Sequence, residues 1–199
     1  MKRRKEGNKM SNSKLIIVEG PQGAGKTTIT DYIRHIIPYT NLYRLSSISD
    51  NTLSGKAIVE EMYEDLLNYI EKLQNKNINL LFDRMFFTEE VYATLGFKKY
   101  SFTDVYNKLL QKISEMDFEI FYVTLYLSDE DEFERRLMRD GKAEVKYAKF
   151  SKETSVKQQN TYLRLADEIN AKYTNINVIN IDTCIGLEAV KEQIEQIIR

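Results

Sequence analysis

Residues 20–27 carry side-chain types at a spacing that binds a row of phosphate groups. They match the pattern G-x-x-x-x-G-K-[ST], with Gly20 and Gly25 at the two glycine positions, followed by Lys26 and Thr27. Glycines let backbone N–H groups surround a phosphate, a lysine reaches the outer phosphates, and a threonine hydroxyl can coordinate Mg²⁺. We therefore expect a nucleoside triphosphate site, with ATP and Mg²⁺ as cofactors and Thr27 on the metal, formed by Gly20, Gln22, Gly23, Ala24, Gly25, Lys26, Thr27 and Thr28.

A second charged group follows the apolar run at 80–82. Asp83 and Arg84 come directly after it, and in a parallel sheet the carboxyl ends of the strands line the ligand crevice. A carboxylate there can hold Mg²⁺ directly or through water, and an arginine can grip a phosphate with two parallel hydrogen bonds. We expect Asp83 to be a metal ligand and Arg84 a catalytic residue, with a surface ion pair as the alternative.

A third group consists of the arginines in the charged segment 129–149. Arg135 and Arg139 are four residues apart and share a helical face, and Arg136 lies one turn from Arg139. Cations on a segment that closes over the site would stabilise a transferring phosphoryl group and exclude water. We expect all three to be catalytic. The alternative is a solvated helix with ion pairs worth about 0.3–0.5 kcal/mol each.

Strand and helix patterns alternate around these groups. Short apolar runs predict strands at 15–18, 42–45, 78–82, 118–127 and 176–181. Apolar residues three and four apart predict helices at 29–36 and near 58–73, 88–95, 102–115, 162–173 and 187–197. The alternation predicts an α/β fold, a three-layer sandwich with a five-stranded parallel sheet between helices.

Composition excludes several classes of protein. The chain has 199 residues, 42% of them hydrophobic, with 29 basic and 30 acidic side chains. No apolar run approaches the ~20 residues that span a bilayer, and the single cysteine, Cys184, excludes a disulfide framework. Residues 1–10 carry five basic side chains and one acidic, a net +4. We interpret residues 1–11 as a flexible basic tail, and expect a cytoplasmic protein with neither a membrane nor a nucleic acid as partner.

Four segments, in this order, resemble the thymidylate kinase and deoxynucleoside kinase group of phosphate-loop (P-loop) kinases. Residues 17–20 are similar to the strand and Glu-Gly step that lead into the loop of that group. Residues 83–92 resemble its D-R-x-x-x-[ST]-x-x-x-Y segment. Residues 125–139 resemble its strand, lid and arginine arrangement, and residues 162–166 its Tyr-Leu-x-Leu-Ala segment. The resemblance covers most of residues 15–199.

The resemblance implies a kinase that transfers the γ-phosphate of ATP to a small-molecule acceptor, a (deoxy)nucleoside monophosphate. It implies a P-loop nucleoside triphosphate hydrolase-type fold in a single domain at 12–199, with a helical lid at about 129–150. In this group the arginine at the position of Arg84 contacts acceptor or donor phosphates. Helices near 58–73 and 88–113 are the candidate faces of a homodimer by the same resemblance.

The acceptor side departs from the thymidylate kinase pattern. Those kinases usually carry an acid, which handles the sugar hydroxyl, where this chain has Gln22. Arg44 is the arginine nearest to the place of their Arg-Glu-Pro segment. Glu19 and Asp50 are candidates for a general base, and a helix cap is the alternative for Asp50.

Two aromatic side chains are further candidates for the acceptor site. Phe87 and Tyr92 could stack on an acceptor base, with a place in the core as the alternative. The loop is also similar to that of adenylate kinases, but Met85 and Phe86 stand where those kinases carry a different motif. Other functions left open are a deoxynucleoside kinase, another small-molecule or polynucleotide kinase, and a nucleotide-binding regulatory protein without an acceptor.

Overall fold

The computed structural model describes residues 13–139 and 151–199. In these ranges, five strands form one sheet: β1 (Lys14–Glu19), β2 (Thr40–Arg44), β3 (Asn79–Asp83), β4 (Glu119–Tyr126) and β5 (Ile176–Asp182). The helices of the same ranges are α1 (Lys26–Ile36), α2 (Leu53–Lys72), α3 (Phe86–Thr94), α4 (Thr103–Ser114), α5 (Asp131–Arg139), α6 (Lys152–Lys172) and α7 (Leu187–Ile198). The expected tail at 1–11 lies outside the described residues, and so does the expected lid beyond residue 139.

The sheet is entirely parallel and has the strand order β2-β3-β1-β4-β5. Strand β1 therefore lies in the middle, with β3 on one side and β4 on the other. Helices cover both faces of the sheet, which confirms the expected three-layer α/β architecture. No helix in the described ranges is long and apolar enough to cross a membrane.

The two cores meet at β1, whose side chains alternate between them. Leu15 and Ile17 belong to the core under α2, α3, α4 and α6, and Ile16 and Val18 belong to the core under α1 and α7. All four side chains are at most 1% exposed. This double burial explains the continuous apolar run in the sequence, because both faces of a central parallel strand are covered.

Helix α6 begins ten residues before its apolar pattern does. Ser151 caps it by accepting a hydrogen bond from the backbone N–H of Thr154. Its first turns bury polar side chains, among them Gln159, whose amide bonds the backbone of Leu127 in both directions, at 2.8 and 3.0 Å. A polar buried face shows no apolar periodicity, so the sequence pattern reveals only the second half of this helix.

The carboxyl edge of the sheet brings the charged groups of the sequence together. Strand register pairs Val18 with Asp83, and Asp83 with Arg44. The backbone N–H of Arg84 donates to the carbonyl of Val18 at 3.1 Å, which fixes the loop after β3 against β1. At Gly20, φ is 140° and any Cβ would collide with the carbonyl oxygen of Leu125, so only glycine fits where the chain leaves β1.

Candidate active site

A cavity of about 510 Å³ lies at the carboxyl edge of the sheet, above the N-terminus of α1. Most of the expected site residues line it: Gln22, Gly23, Gly25, Lys26, Thr27, Thr28, Arg44, Asp83, Arg84, Arg136 and Arg139. Gly20 and Ala24 belong to the same loop but do not line the cavity, and Ala24 is fully buried in the core below. The cavity therefore unites three groups that are far apart in the sequence.

The floor of the cavity is the loop after β1 and the first turn of α1. Gly23 and Gly25 have φ angles of 87° and 90°, and Gly25 is the residue at the N-cap of α1. The first N–H groups of a helix have no partner within it and carry partial positive charge, which favours an anion there. Lys26 is only 6% exposed, and its ammonium donates to the carbonyls of Gly20 and Pro21 at 2.7 Å each.

Thr27, Asp83 and Arg44 form the wall beside Lys26. The Thr27 hydroxyl donates to Asp83 Oδ2 at 3.0 Å, and Arg44 Nε lies 3.7 Å from the same oxygen. A hydroxyl and a carboxylate side by side fit Mg²⁺, which takes one or two protein oxygens and completes its shell with water and phosphate oxygens. Among the described residues, no three His, Cys, Asp or Glu side chains are grouped closely enough to hold a metal ion by themselves.

Arg84 points its guanidinium between two neutral groups. One Nη donates to the Gln22 side-chain oxygen at 2.6 Å, and the other to the Tyr92 hydroxyl at 3.3 Å. Its backbone has φ 75°, in the left-handed region that a residue with a long side chain rarely adopts. Neither contact neutralises the cation, so Arg84 keeps its charge for an anion in the cavity.

Arg136 fastens α5 to two loops. Its guanidinium donates to the carbonyl of Gly23 at 3.3 Å, and to the hydroxyl and carbonyl of Thr183 at 2.9 Å each. Its Nε also lies 3.3 Å from a carboxylate oxygen of Glu132. Together with the buried side chains of Phe133 and Leu137, Arg136 thus holds the described part of the expected lid over the phosphate loop. Arg139 lies one turn further on and also lines the cavity.

Arg135 is not brought to the cavity. Its side chain is 63% exposed and pairs with Asp129 at 2.8 Å and Glu132 at 2.7 Å. This arrangement corresponds to the solvated ion pairs that the sequence left as the alternative for this segment.

The two candidate bases also lie away from the cavity lining. Glu19 is fully buried, and its oxygens accept hydrogen bonds from the Met85 backbone at 2.7 Å and the Thr88 hydroxyl at 2.8 Å. Burial raises the pKa of Glu19 to about 7, against the opposing effect of these hydrogen bonds and of nearby cations. The Asp50 carboxylate accepts hydrogen bonds from the backbone N–H and the hydroxyl of Thr52, the residue at the N-cap of α2, and both bonds lower the pKa of Asp50.

The two aromatic candidates occupy different environments. Phe87 is 1% exposed, and its ring stacks 4.3 Å from the ring of Phe86 and meets Tyr106 edge-on at 5.7 Å. It is therefore part of the core under α3 and α4. Tyr92 is half-buried, and its ring contacts Phe97 at 5.7 Å while its hydroxyl accepts from Arg84. Neither ring lines the described cavity.

The segment after β5 forms a wall of the cavity that the sequence reasoning missed. It contributes Thr183, Cys184, Gly186, Leu187 and Val190. The available signal was positional, because polar residues directly after a parallel strand lie at the same edge as the phosphate loop. The apolar side chains on this wall suit a flat, uncharged part of a ligand.

Comparison with solved structures finds the same fold in two kinds of kinase. Thymidylate kinase from Candida albicans superposes with a TM-score of 0.65 at 16% identity, over 94% of this chain and 91% of that one. Deoxyadenosine kinase from M. mycoides, with products bound, superposes with a TM-score of 0.56 at 18% identity, over 92% and 96% of the two chains. Its complex with dCTP gives 0.51 at 18% identity, over 92% and 97%.

A scan against protein-family models finds no match, and a search of curated proteins finds none either. The solved structures alone show that the chain shares the fold of this thymidylate kinase and this deoxyadenosine kinase over more than 90% of its length. This confirms, for the fold, the resemblance read from the sequence.

Proposed function

We propose that the chain is a magnesium-dependent kinase that transfers the γ-phosphate of ATP to a (deoxy)nucleoside monophosphate. Lys26 and the loop backbone hold the donor phosphates, and Thr27 and Asp83 hold Mg²⁺. The metal supplies charge neutralisation for the phosphates when it is bound. Arg136 and Arg139 add cations from the opposite wall.

The pair of arginines at the ends of β2 and β3 carries this proposal. Both arginines line the cavity: Arg44 lies across from Asp83 on the neighbouring strand and pairs with Asp31, and Arg84 follows Asp83 in the chain. A phosphate monoester carries a charge of about −1.5 to −2 at pH 7, and arginine binds it with two parallel hydrogen bonds. This end of the cavity therefore suits an acceptor that itself carries a phosphate.

The carboxylates of the cavity also favour a monophosphate over a nucleoside. Among the described residues, Asp83 and Glu132 line the cavity, but Asp83 accepts from Thr27 and Glu132 pairs with Arg135 and Arg136. A nucleoside hydroxyl needs a base to take its proton. The oxygens of a phosphate monoester are already ionised near neutral pH and need none.

A deoxynucleoside kinase is the second candidate, supported by the shared fold with a deoxyadenosine kinase. In that case Asp83 is the carboxylate placed to act as base, because it is the one beside Arg84 at the cavity wall.

The two candidates are separated by offering nucleosides and monophosphates in turn with MgATP and measuring the phosphorylated product. We expect product with monophosphates only, and a loss of at least about 100-fold in rate for Lys26→Ala. Lys157→Ala, which removes an exposed lysine of α6, serves as the matched control and should not change the rate. Product from nucleosides alone supports the second candidate. Acceptor-independent hydrolysis, or no turnover, contradicts both and favours a nucleotide-binding regulatory protein.

A further inference from the structure

The backbone at Arg84 is held in an unfavourable conformation. Asp83 ends β3, α3 begins at Phe86, and the chain turns between them with Arg84 at φ 75°. A non-glycine residue in the left-handed region is strained and persists only where its surroundings over-determine it. We therefore expect hydrogen bonds from the surrounding elements to hold the backbone of this turn in place.

A buried carboxylate brackets the turn. Glu19 is 0% exposed, and one of its oxygens accepts from the backbone N–H of Met85, the residue after Arg84, at 2.7 Å. Its other oxygen accepts from the hydroxyl of Thr88, in the first turn of α3, at 2.8 Å. The residue at the N-cap of α3, Met85, makes no side-chain capping hydrogen bond, so Glu19 supplies the acceptor for this helix end from β1.

A second helix, α6, takes part in the same arrangement. The Tyr162 hydroxyl of α6 lies 2.8 Å from the Thr88 hydroxyl, and both side chains are at most 2% exposed. The Thr88 hydroxyl thus connects α6 to the Glu19 carboxylate, and Glu19 connects both to the backbone next to Arg84. Breaking such a buried chain of hydrogen bonds leaves polar groups without partners, which is unfavourable away from water.

We propose that Glu19, Thr88 and Tyr162 form a positioning triad that holds Arg84 in its left-handed conformation and so aims its guanidinium into the cavity. The inference rests on the proposed function, because it gives Arg84 the phosphate as its target. The triad residues act through Arg84 and do not touch substrate. Glu19 lies outside the cavity lining, and both its oxygens are engaged.

Thr88→Val is the principal test, because valine keeps the shape of threonine and removes only the hydroxyl. We expect kcat/KM for the monophosphate to fall about tenfold and KM for ATP to stay within about twofold, since the donor loop is untouched. Thr161→Val is the matched control. It removes another buried hydroxyl, one residue before Tyr162, that donates within its own helix, and should leave both constants unchanged.

Glu19→Gln distinguishes a positioning residue from a general base. The glutamine oxygen can still accept from Met85, and its amide can donate to the Thr88 hydroxyl. We expect this variant to retain activity within about threefold. A loss of about 100-fold or more would mark Glu19 as a base and overturn the triad.

A double-mutant cycle with Arg84→Ala tests the route of the effect. If the triad acts through Arg84, Thr88→Val lowers activity in the native background and changes little in the Arg84→Ala background. Equal losses in the two backgrounds overturn the inference while leaving the kinase assignment standing.

A wild-type protein that phosphorylates no acceptor refutes the proposed function instead. The triad is then tested by the crystal structure of Thr88→Val. Arg84 leaving its positive φ and its contact with Gln22 supports the triad, and Arg84 unmoved refutes it.

Discussion

Replacing Glu19 with glutamine should alter how the stability of the protein depends on pH. The carboxyl is fully buried, and burial raises its pKa from 4.5 to about 7 despite the hydrogen bonds from Met85 and Thr88 and the charges of Arg84 and Lys26. In the unfolded chain the group has its ordinary pKa. The folded state therefore holds a proton on Glu19 at pH values where the unfolded state has lost it.

The sign and size of the effect follow from linkage. Stability from this proton is fully present below the unfolded pKa of 4.5 and is lost as pH rises to about 7. A difference between 4.5 and 7 at about 1.4 kcal/mol per unit corresponds to roughly 3 kcal/mol. Glutamine carries no titrating proton, so its stability lacks this component at every pH.

Urea unfolding of wild type and Glu19→Gln at pH 5, 6, 7 and 8, at fixed ionic strength and without nucleotide, measures the difference. Wild type should lose stability relative to the variant as pH rises, by up to about 3 kcal/mol. Glu153→Gln is the control. Its exposed carboxylate pairs with Lys157, which lowers its pKa, so any change should be small and of opposite sign. The free energy of unfolding of wild type minus that of Glu19→Gln should fall as pH rises. If this difference stays constant between pH 5 and 8, or increases with pH, the reasoning is refuted.

Three further predictions concern the cavity. Gln22→Glu places a carboxylate against the Arg84 guanidinium. Because this charge neutralises the arginine that we expect to bind the acceptor phosphate, KM for a monophosphate should rise about 10- to 100-fold while KM for ATP stays unchanged, as measured by steady-state kinetics with each substrate varied. Thr27→Val should lower kcat with MgATP at least about tenfold, whereas Thr27→Ser should keep kcat near the wild-type value, because serine retains the hydroxyl that would bind the metal. Equal activity of the two variants would contradict metal ligation by Thr27. Arg136→Ala should raise KM for ATP about tenfold and Arg135→Ala less than twofold, because Arg136 bonds the phosphate loop and Arg135 pairs with Asp129 instead. Equal effects of the two variants in nucleotide titrations would show that the helix face is misassigned.

The sequence was sufficient for the fold class and for most of the helices and strands because these signals are local. An apolar β-branched run such as residues 15–18 indicates a strand covered on both faces, and glycines followed by Lys26 and Thr27 indicate a loop that leads into a helix. Asp83 falls at the last position of β3, where the apolar run ends. Each of these features depends on residues that are neighbours in the chain, so it can be predicted from a single sequence.

The long-range parts of the site could not be predicted in this way. Glu19 has the residue type of a base, and its burial depends on α3 and α6, of which the nearer contact, Thr88, is 69 residues further along the chain. The positive φ of Arg84 has no sequence signature, because it depends on what brackets the turn. Thr183 accepts a hydrogen bond from Arg136, which lies 47 residues earlier in the chain, and no local sequence pattern predicts this contact.

For the arginines of α5, the apolar residues of the helix predict which side chains face the solvent better than the spacing of the charges does. Counting charges four apart puts Arg135 and Arg139 on one face, but Phe133 and Leu137 decide which face is turned inward, since both are at most 2% exposed. At about 100° per residue, Arg135 lies roughly opposite the middle of that apolar face, and Arg136 lies roughly 80° from it. Arg135 must therefore face water, where it pairs with Asp129. Arg136 lies at the boundary between core and cavity, where its guanidinium bonds the carbonyl of Gly23 in the phosphate loop.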